Sequence, residues 1–120
     1  MSVAVKPKYT PQEYLEMERK AETKSEYFNG EISALAGVTQ EHVLIITNII
    51  TELGTQLKKR PCQVYPSDMR VKVSQTGLYT YPDISVACDK PEFEDEHNDT
   101  LLNPRFVIRE QKTLDTRYKN

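Results

Sequence analysis

No stretch of this sequence approaches the roughly 18 consecutive apolar residues that a membrane-spanning helix needs. The opening MSVAVKPKYT also lacks the apolar segment of a secretion signal. Both absences point to a cytoplasmic protein without a membrane partner. Cysteine is scarce: Cys62 and Cys88 are the only two, too few and too far apart for a disulfide framework or a zinc knuckle. The expectation for them is two reduced core thiols. Positive charge is not in surplus either. Sixteen Lys and Arg stand against 18 Asp and Glu, a formal net charge of −2, which argues against non-specific nucleic-acid binding through many phosphate contacts. DNA contact through a local basic patch stays open. Internal repeats are missing too.

What is present fits one soluble globular domain. At 120 residues, 38% of them hydrophobic and 28% charged, the chain can bury one core but not two. Residues 1–8 read as a loose arm. Thr10-Pro11-Gln12-Glu13 has the form of a capping box with proline at the first helical position, and a surface helix is expected from there to about Lys24. Asn29-Gly30 announces a hairpin, with strands near 25–28 and 31–36. Thr39 caps a second helix over about 40–58, in which Ile45, Ile46, Ile49, Leu53 and Leu57 form a core-facing stripe that Pro61 terminates. Strands follow at Cys62–Tyr65 and Met69–Val73, where Arg70 and Lys72 alternate with valines and read as a wet face. Lys58-Lys59-Arg60 suits a helix C-terminus. After a turn at Gln75-Thr76-Gly77 comes YTYPDISVAC, read as a buried strand, then an acidic solvated loop over 91–100, then a strand from Arg105. The order of elements predicts an α+β fold, a mixed sheet with helices packed against it.

Asp83 is the residue that asks for an explanation, because a carboxylate at the mouth of a buried strand must be solvated, hydrogen-bonded or paired with a cation. In metal-dependent nucleases of the PD-(D/E)XK type, an aspartate begins one strand, and an acid and a lysine two residues apart share a face of its neighbour. Pro82-Asp83 followed by Glu110-Gln111-Lys112 has that form. The acid-x-Lys triplet is cheap, as Glu18-Arg19-Lys20 and Glu22-Thr23-Lys24 show. Asp83 also reads as a turn residue after Pro82, Glu31 as a solvated hairpin residue, His42 as a packed or capping histidine, and Glu110 with Lys112 as a polar tail.

The succession YTPQEYLEMERKAETKSEYFNGEI, EHVLIITNII, SDMRVKV and YTYPDISVAC resembles a large bacterial family of putative restriction endonucleases within the PD-(D/E)XK superfamily. The likeness runs from about residue 5 to Ile108. It implies a restriction-endonuclease-like core, hydrolysis of DNA phosphodiesters with Mg²⁺ or Mn²⁺, no small-molecule cofactor, and frequent homodimerisation. It assigns Asp83 as the strand-entry metal ligand, Glu31 as the early acidic residue near the site and His42 as a histidine the family commonly carries there, while Glu110 as second metal ligand and Lys112 as the lysine of the site rest on the motif spacing alone. The departure lies in residues 109–120. Counted from Asn103-Pro104, Arg109 takes the place of the family's glutamate, and Glu110 comes one step late, a slip that reverses the sheet face. The tail diverges from the family's continuation, so the expectation is a core shortened at its C-terminus and possessed of exposed apolar surface. Against the nuclease stand a non-catalytic dimerising module on the same core and an unrelated small α+β binding protein.

Overall fold

The computed structural model describes residues 8–109, which form, in chain order, α1 (Pro11–Lys20), β1 (Ser25–Phe28), β2 (Glu31–Ala34), α2 (Gln40–Gln56), β3 (Cys62–Pro66), β4 (Arg70–Val73), β5 (Leu78–Thr80), β6 (Ile84–Cys88), β7 (Thr100–Leu101) and β8 (Phe106–Ile108). The architecture is α+β. No helix among the described residues is long and apolar enough to cross a membrane.

α1 begins with the reciprocal cap legible in the sequence. The Glu13 amide donates to Thr10 Oγ1 at 3.1 Å, and the Thr10 amide donates to Glu13 Oε1 at 2.8 Å. Two amides that the helix cannot satisfy are thereby paired. Thr10→Ala is expected to cost about 1 kcal/mol, read as a lower urea midpoint at unchanged slope; an unmoved midpoint would show the cap to be redundant. The helix stops at Lys20, short of the expected Lys24, because Ala21 is already extended and Glu18 receives the Ser25 amide at 2.8 Å. It is also set deeper than its modest apolar pattern predicts. Tyr14 and Leu15 are buried against Tyr27 and Tyr79.

The expected hairpin is β1 and β2, turned by Asn29 and Gly30 at φ 50° and 83°, which suits a type I′ connection. It joins a mixed five-stranded sheet in the order β2-β1-β5-β4-β7, in which β4 and β7 are parallel. A second, antiparallel sheet has the order β3-β6-β8. The YTYPDISVAC stretch is therefore not one strand: β5 lies in the first sheet and β6 in the second. Pro82 has no amide to give a ladder, so the chain breaks there and changes sheet. β6 is the middle strand of its sheet, with Ile84 to Ala87 all buried, as a strand covered on both faces requires. Val71, Ala87 and Leu101 pack where the two sheets meet.

Three further expectations are corrected. Cys62 and Cys88 are not free thiols: the β3–β6 register sets them opposite one another, and their sulfurs are bonded. That pairing is a long-range consequence of the ladder, invisible in a separation of 26 residues. Opening the bond is expected to cost roughly 3 kcal/mol of loop entropy, seen as a lower melting midpoint with dithiothreitol and matched by Cys62→Ser/Cys88→Ser. An equal midpoint in both redox states would overturn this. In the second correction, α2 packs on β3 through a stripe of half-buried residues that includes His42, Ile46, Ile49 and Leu53, while Ile45 is exposed beside Val43 and Leu44.

The third correction concerns the acidic segment, which is tied down rather than solvated. Arg19 reaches Asp99 at 2.9 Å and Asp95 at 3.2 Å, and Arg70 meets Asp99 at 3.0 Å. Arg19 holds the Asp99 carboxyl well below the usual range. Arg70, expected on a wet face, is buried and donates to Thr100 and Tyr81 at 2.9 Å each. The segment thus supplies the counter-charges for arginines that α1 and β4 bring inward.

Candidate functional site

Because the chain changes sheet at Pro82, Asp83 emerges at the seam, at the mouth of β6. A cleft of about 440 Å³ opens there, with Lys24, Leu35, His42, Tyr81, Asp83 and Arg109 among its walls. Asp83 is half-buried, and its Oδ1 lies 3.0 Å from His42 Nε2. His42 comes from the first turn of α2, where Thr39 Oγ1 accepts from its amide at 3.2 Å. The residue read as packed or capping therefore does both: its backbone closes the cap, and its ring reaches across the seam to the carboxylate.

Tyr81 forms a neutral part of the wall. Its hydroxyl donates to Glu18 Oε2 at 2.7 Å and accepts from Arg70 at 2.9 Å. Burial, helped by the Glu18 carboxylate, pushes the phenol up to about 12. It stays protonated through the physiological range and serves as a hydrogen-bonding post.

Arg109 is positioned by the β6–β8 ladder. Ile84 pairs with Ile108, so the same register sets Arg109 opposite Asp83, at the place counted for it from Asn103-Pro104. Its Nη2 lies 2.7 Å from Glu26 Oε2. Glu26, in β1, is fully buried, and the Thr80 hydroxyl donates to the same oxygen. The other oxygen, Glu26 Oε1, is buried without a hydrogen-bond partner among the described residues.

Glu26 is the residue that the sequence reading missed. Glu31 was the early acid implied by resemblance, yet it pairs with Phe28 at the turn end of the hairpin, while Lys24 and Leu35, at the other end, line the cleft. Glu31 is not among the cleft residues. A signal for Glu26 was present: in Ser25-Glu26-Tyr27-Phe28 it shares a strand face with Phe28, and a charge on such a face needs a buried partner. Glu110 and Lys112 lie outside the described residues.

Among the described residues, no three His, Cys, Asp or Glu side chains converge to hold a metal ion. A divalent cation of the Mg²⁺ kind wants an all-oxygen shell with carboxylates to balance its charge. Around Asp83 the described residues give two carboxylates that line the cleft, Asp83, already engaged with His42, and Glu22, and a buried third, Glu26, that already carries a guanidinium; no three of them converge. By themselves they do not fit a divalent ion.

Comparisons with known proteins agree on the fold. A crystal structure of a putative nuclease belonging to DUF820 from Anabaena variabilis superposes with a TM-score of 0.63 over 82% of this chain and 55% of that one, at 22% identity. Two uncharacterized proteins of Synechocystis sp. are similar in sequence. One, sll1609, is 33% identical over 107 residues, 89% of this chain and 60% of that protein; the other, slr1290, is 37% identical over 83 residues, 69% and 44% respectively. The chain thus spans about half the length of the curated relatives it matches. The family model of Uma2, putative restriction endonuclease, matches residues 11–109, nearly the whole of the described chain, and the protein belongs to that family.

Proposed function

We propose that this chain is a nuclease-fold domain directed at the DNA backbone, receiving a phosphodiester in the cleft at Asp83. The observation behind the reading is the composition of that cleft: Lys24, His42 and Arg109 line it together with Asp83, His42 in contact with Asp83 and Lys24 paired with Asp68. Charge-assisted donation from Lys and Arg is how proteins hold backbone phosphates. The chain as a whole carries little net charge, so binding is modest and salt-sensitive.

Hydrolysis with Mg²⁺ or Mn²⁺ asks for more than the described residues supply. It would rest on Asp83 together with Glu110 and Lys112. With Arg109 at the place of the family's glutamate, our reading is that DNA binding is kept and cleavage lost. The test is nicking of supercoiled plasmid in Mg²⁺ and in Mn²⁺ by the wild type and by Asp83→Ala. Fluorescence anisotropy of a duplex oligonucleotide at low salt follows binding, and circular dichroism confirms folding. The expected result is binding without nicking. Metal-dependent nicking that disappears in Asp83→Ala would overturn the loss of cleavage and establish an endonuclease. Absence of any binding would overturn the DNA reading.

One observation favours a second reading, a non-catalytic homodimerising module. Val43, Leu44 and Ile45 on α2, and Phe106 and Val107 on β8, are large apolar side chains left exposed, and exposed apolar surface marks interaction sites. Sedimentation equilibrium distinguishes a dimer from a monomer.

A further inference from the structure

We infer that Arg109, held by buried Glu26, is a built-in cation that takes the role of a divalent ion in this cleft, so that a backbone phosphate is bound there without metal. The inference rests on the proposed phosphodiester reading and goes beyond it, because it names the charge that does the binding.

A fully buried carboxylate must be neutralised or paired, since an isolated buried charge is prohibitively costly. Glu26 is such a group, and the contacts that meet it are Arg109 and the Thr80 hydroxyl. Arg109 in turn arrives beside Asp83 by the β6–β8 register and lines the cleft with it. Two carboxylates with one positive charge placed between strands are the electrostatic outline of a cation site. Here a guanidinium supplies the charge. Among the described residues Glu26 keeps a buried oxygen, Oε1, without a hydrogen-bond partner, so the carboxylate has acceptor capacity beyond what Arg109 and Thr80 use.

The substitution changes the chemistry in a defined way. A guanidinium has five N–H donors in a rigid fork, enough to hold Glu26 and meet a phosphate oxygen together. It cannot be exchanged or chelated. It also cannot do what a divalent ion does for hydrolysis, because it holds no water to be made acidic. The cleft accordingly binds an anion and leaves it intact.

The experiment compares wild type, Arg109→Gln, Arg109→Glu and Arg109→Glu/Asp83→Ala. Two probes are used: a duplex oligonucleotide in EDTA at low salt, and Mn²⁺ alone, followed by the electron paramagnetic resonance of free Mn²⁺ and by melting temperature. The wild type should bind the oligonucleotide equally in EDTA and in Mn²⁺, and its melting temperature should ignore Mn²⁺. Arg109→Gln, which keeps a donor for Glu26 but not the charge, should lose about tenfold in affinity, the scale of one charge-assisted hydrogen bond. Arg109→Glu should take up Mn²⁺ and melt higher in its presence, and Asp83→Ala should cancel the gain. Should Arg109→Glu require Mn²⁺ in order to fold, that outcome supports the inference as well. Stoichiometric Mn²⁺ uptake by the wild type, or none by folded Arg109→Glu, would overturn it. A wild type that ignores both DNA and Mn²⁺, beside an Arg109→Glu variant that binds Mn²⁺, sinks the phosphate reading while leaving the cation replacement standing.

Discussion

Arg109→Ala is expected to destabilise the protein by about 3–5 kcal/mol, the cost of leaving a buried charge without its partner. The pair is asymmetric: Glu26 is fully buried, whereas the Arg109 side chain is 23% exposed. Arginine can therefore be removed without opening much of a cavity, and most of the loss comes from the abandoned carboxylate. Removing both charges should hurt less than removing one. In Glu26→Gln/Arg109→Ala, more than half of the stability should return, because the amide that remains needs only hydrogen bonds. Urea unfolding of wild type, both single variants and the double variant gives the coupling directly. An Arg109→Ala loss within about 0.5 kcal/mol, the range of ordinary surface substitutions, would show that Glu26 is not dependent on it.

A loss of similar size is expected on the other face of the five-stranded sheet, one residue along from Glu26, where Tyr27 of β1 pairs with Tyr79 of β5. Tyr79 is fully buried, with its ring 5.5 Å from that of Tyr14 and 5.7 Å from that of Tyr27, while Tyr14 and Tyr27 stack at 5.1 Å. Three aromatic rings here do the work that aliphatic side chains do in most small domains, and they join α1 to β1 and β5. Tyr79→Ala removes the ring common to two of the contacts and leaves a cavity, at a cost of about 3–5 kcal/mol. In thermal terms that is a fall of roughly 10 °C or more. Tyr79→Phe should cost only about 1–2 kcal/mol, because it keeps the packing and loses the 2.6 Å hydrogen bond to Glu94. Near-UV circular dichroism and thermal melts separate the two variants. If Tyr79→Ala melts with the wild type, the cluster is not the core it is taken to be.

Local chemistry was legible in the sequence wherever a signal lies within a few residues. The Thr10 box, the Asn29-Gly30 turn, the Thr39 cap and the start of β8 all stand where their residues announce them. Asp83 could be singled out because a charge abutting an apolar run is visible in one dimension, and Arg109 because a count from Asn103-Pro104 carries through an extended strand. What the sequence did not disclose is what strand pairing creates. The Cys62–Cys88 bond, the Glu26–Arg109 pair and the Arg70–Asp99 contact join residues 26, 83 and 29 positions apart, and each depends on register between strands remote in the chain. Proline carried a second lesson: Pro82 reads as a local turn, but its larger effect is to pass the chain from one sheet to another. Glu31 and Glu26 differ by five positions along one hairpin, and which strand of that hairpin meets β5 separates them: β1, with Glu26, lies inside the sheet, and β2, with Glu31, forms its edge.

α2 has no buried residue. It rests on β3 by one half-buried stripe, and three threonines on it, Thr47, Thr51 and Thr55, spend their hydroxyls on carbonyls one turn back, a habit that loosens and bends helices. Segments with so little apolar anchorage open at low free energy, well before the protein unfolds. The His42 ring is carried by this helix and Asp83 by the deeply buried β6, so the two sides of the cleft belong to regions of unequal rigidity. Its width is consequently expected to breathe: one wall is fixed to a strand buried on both faces, and the other rides on a helix with no buried residue.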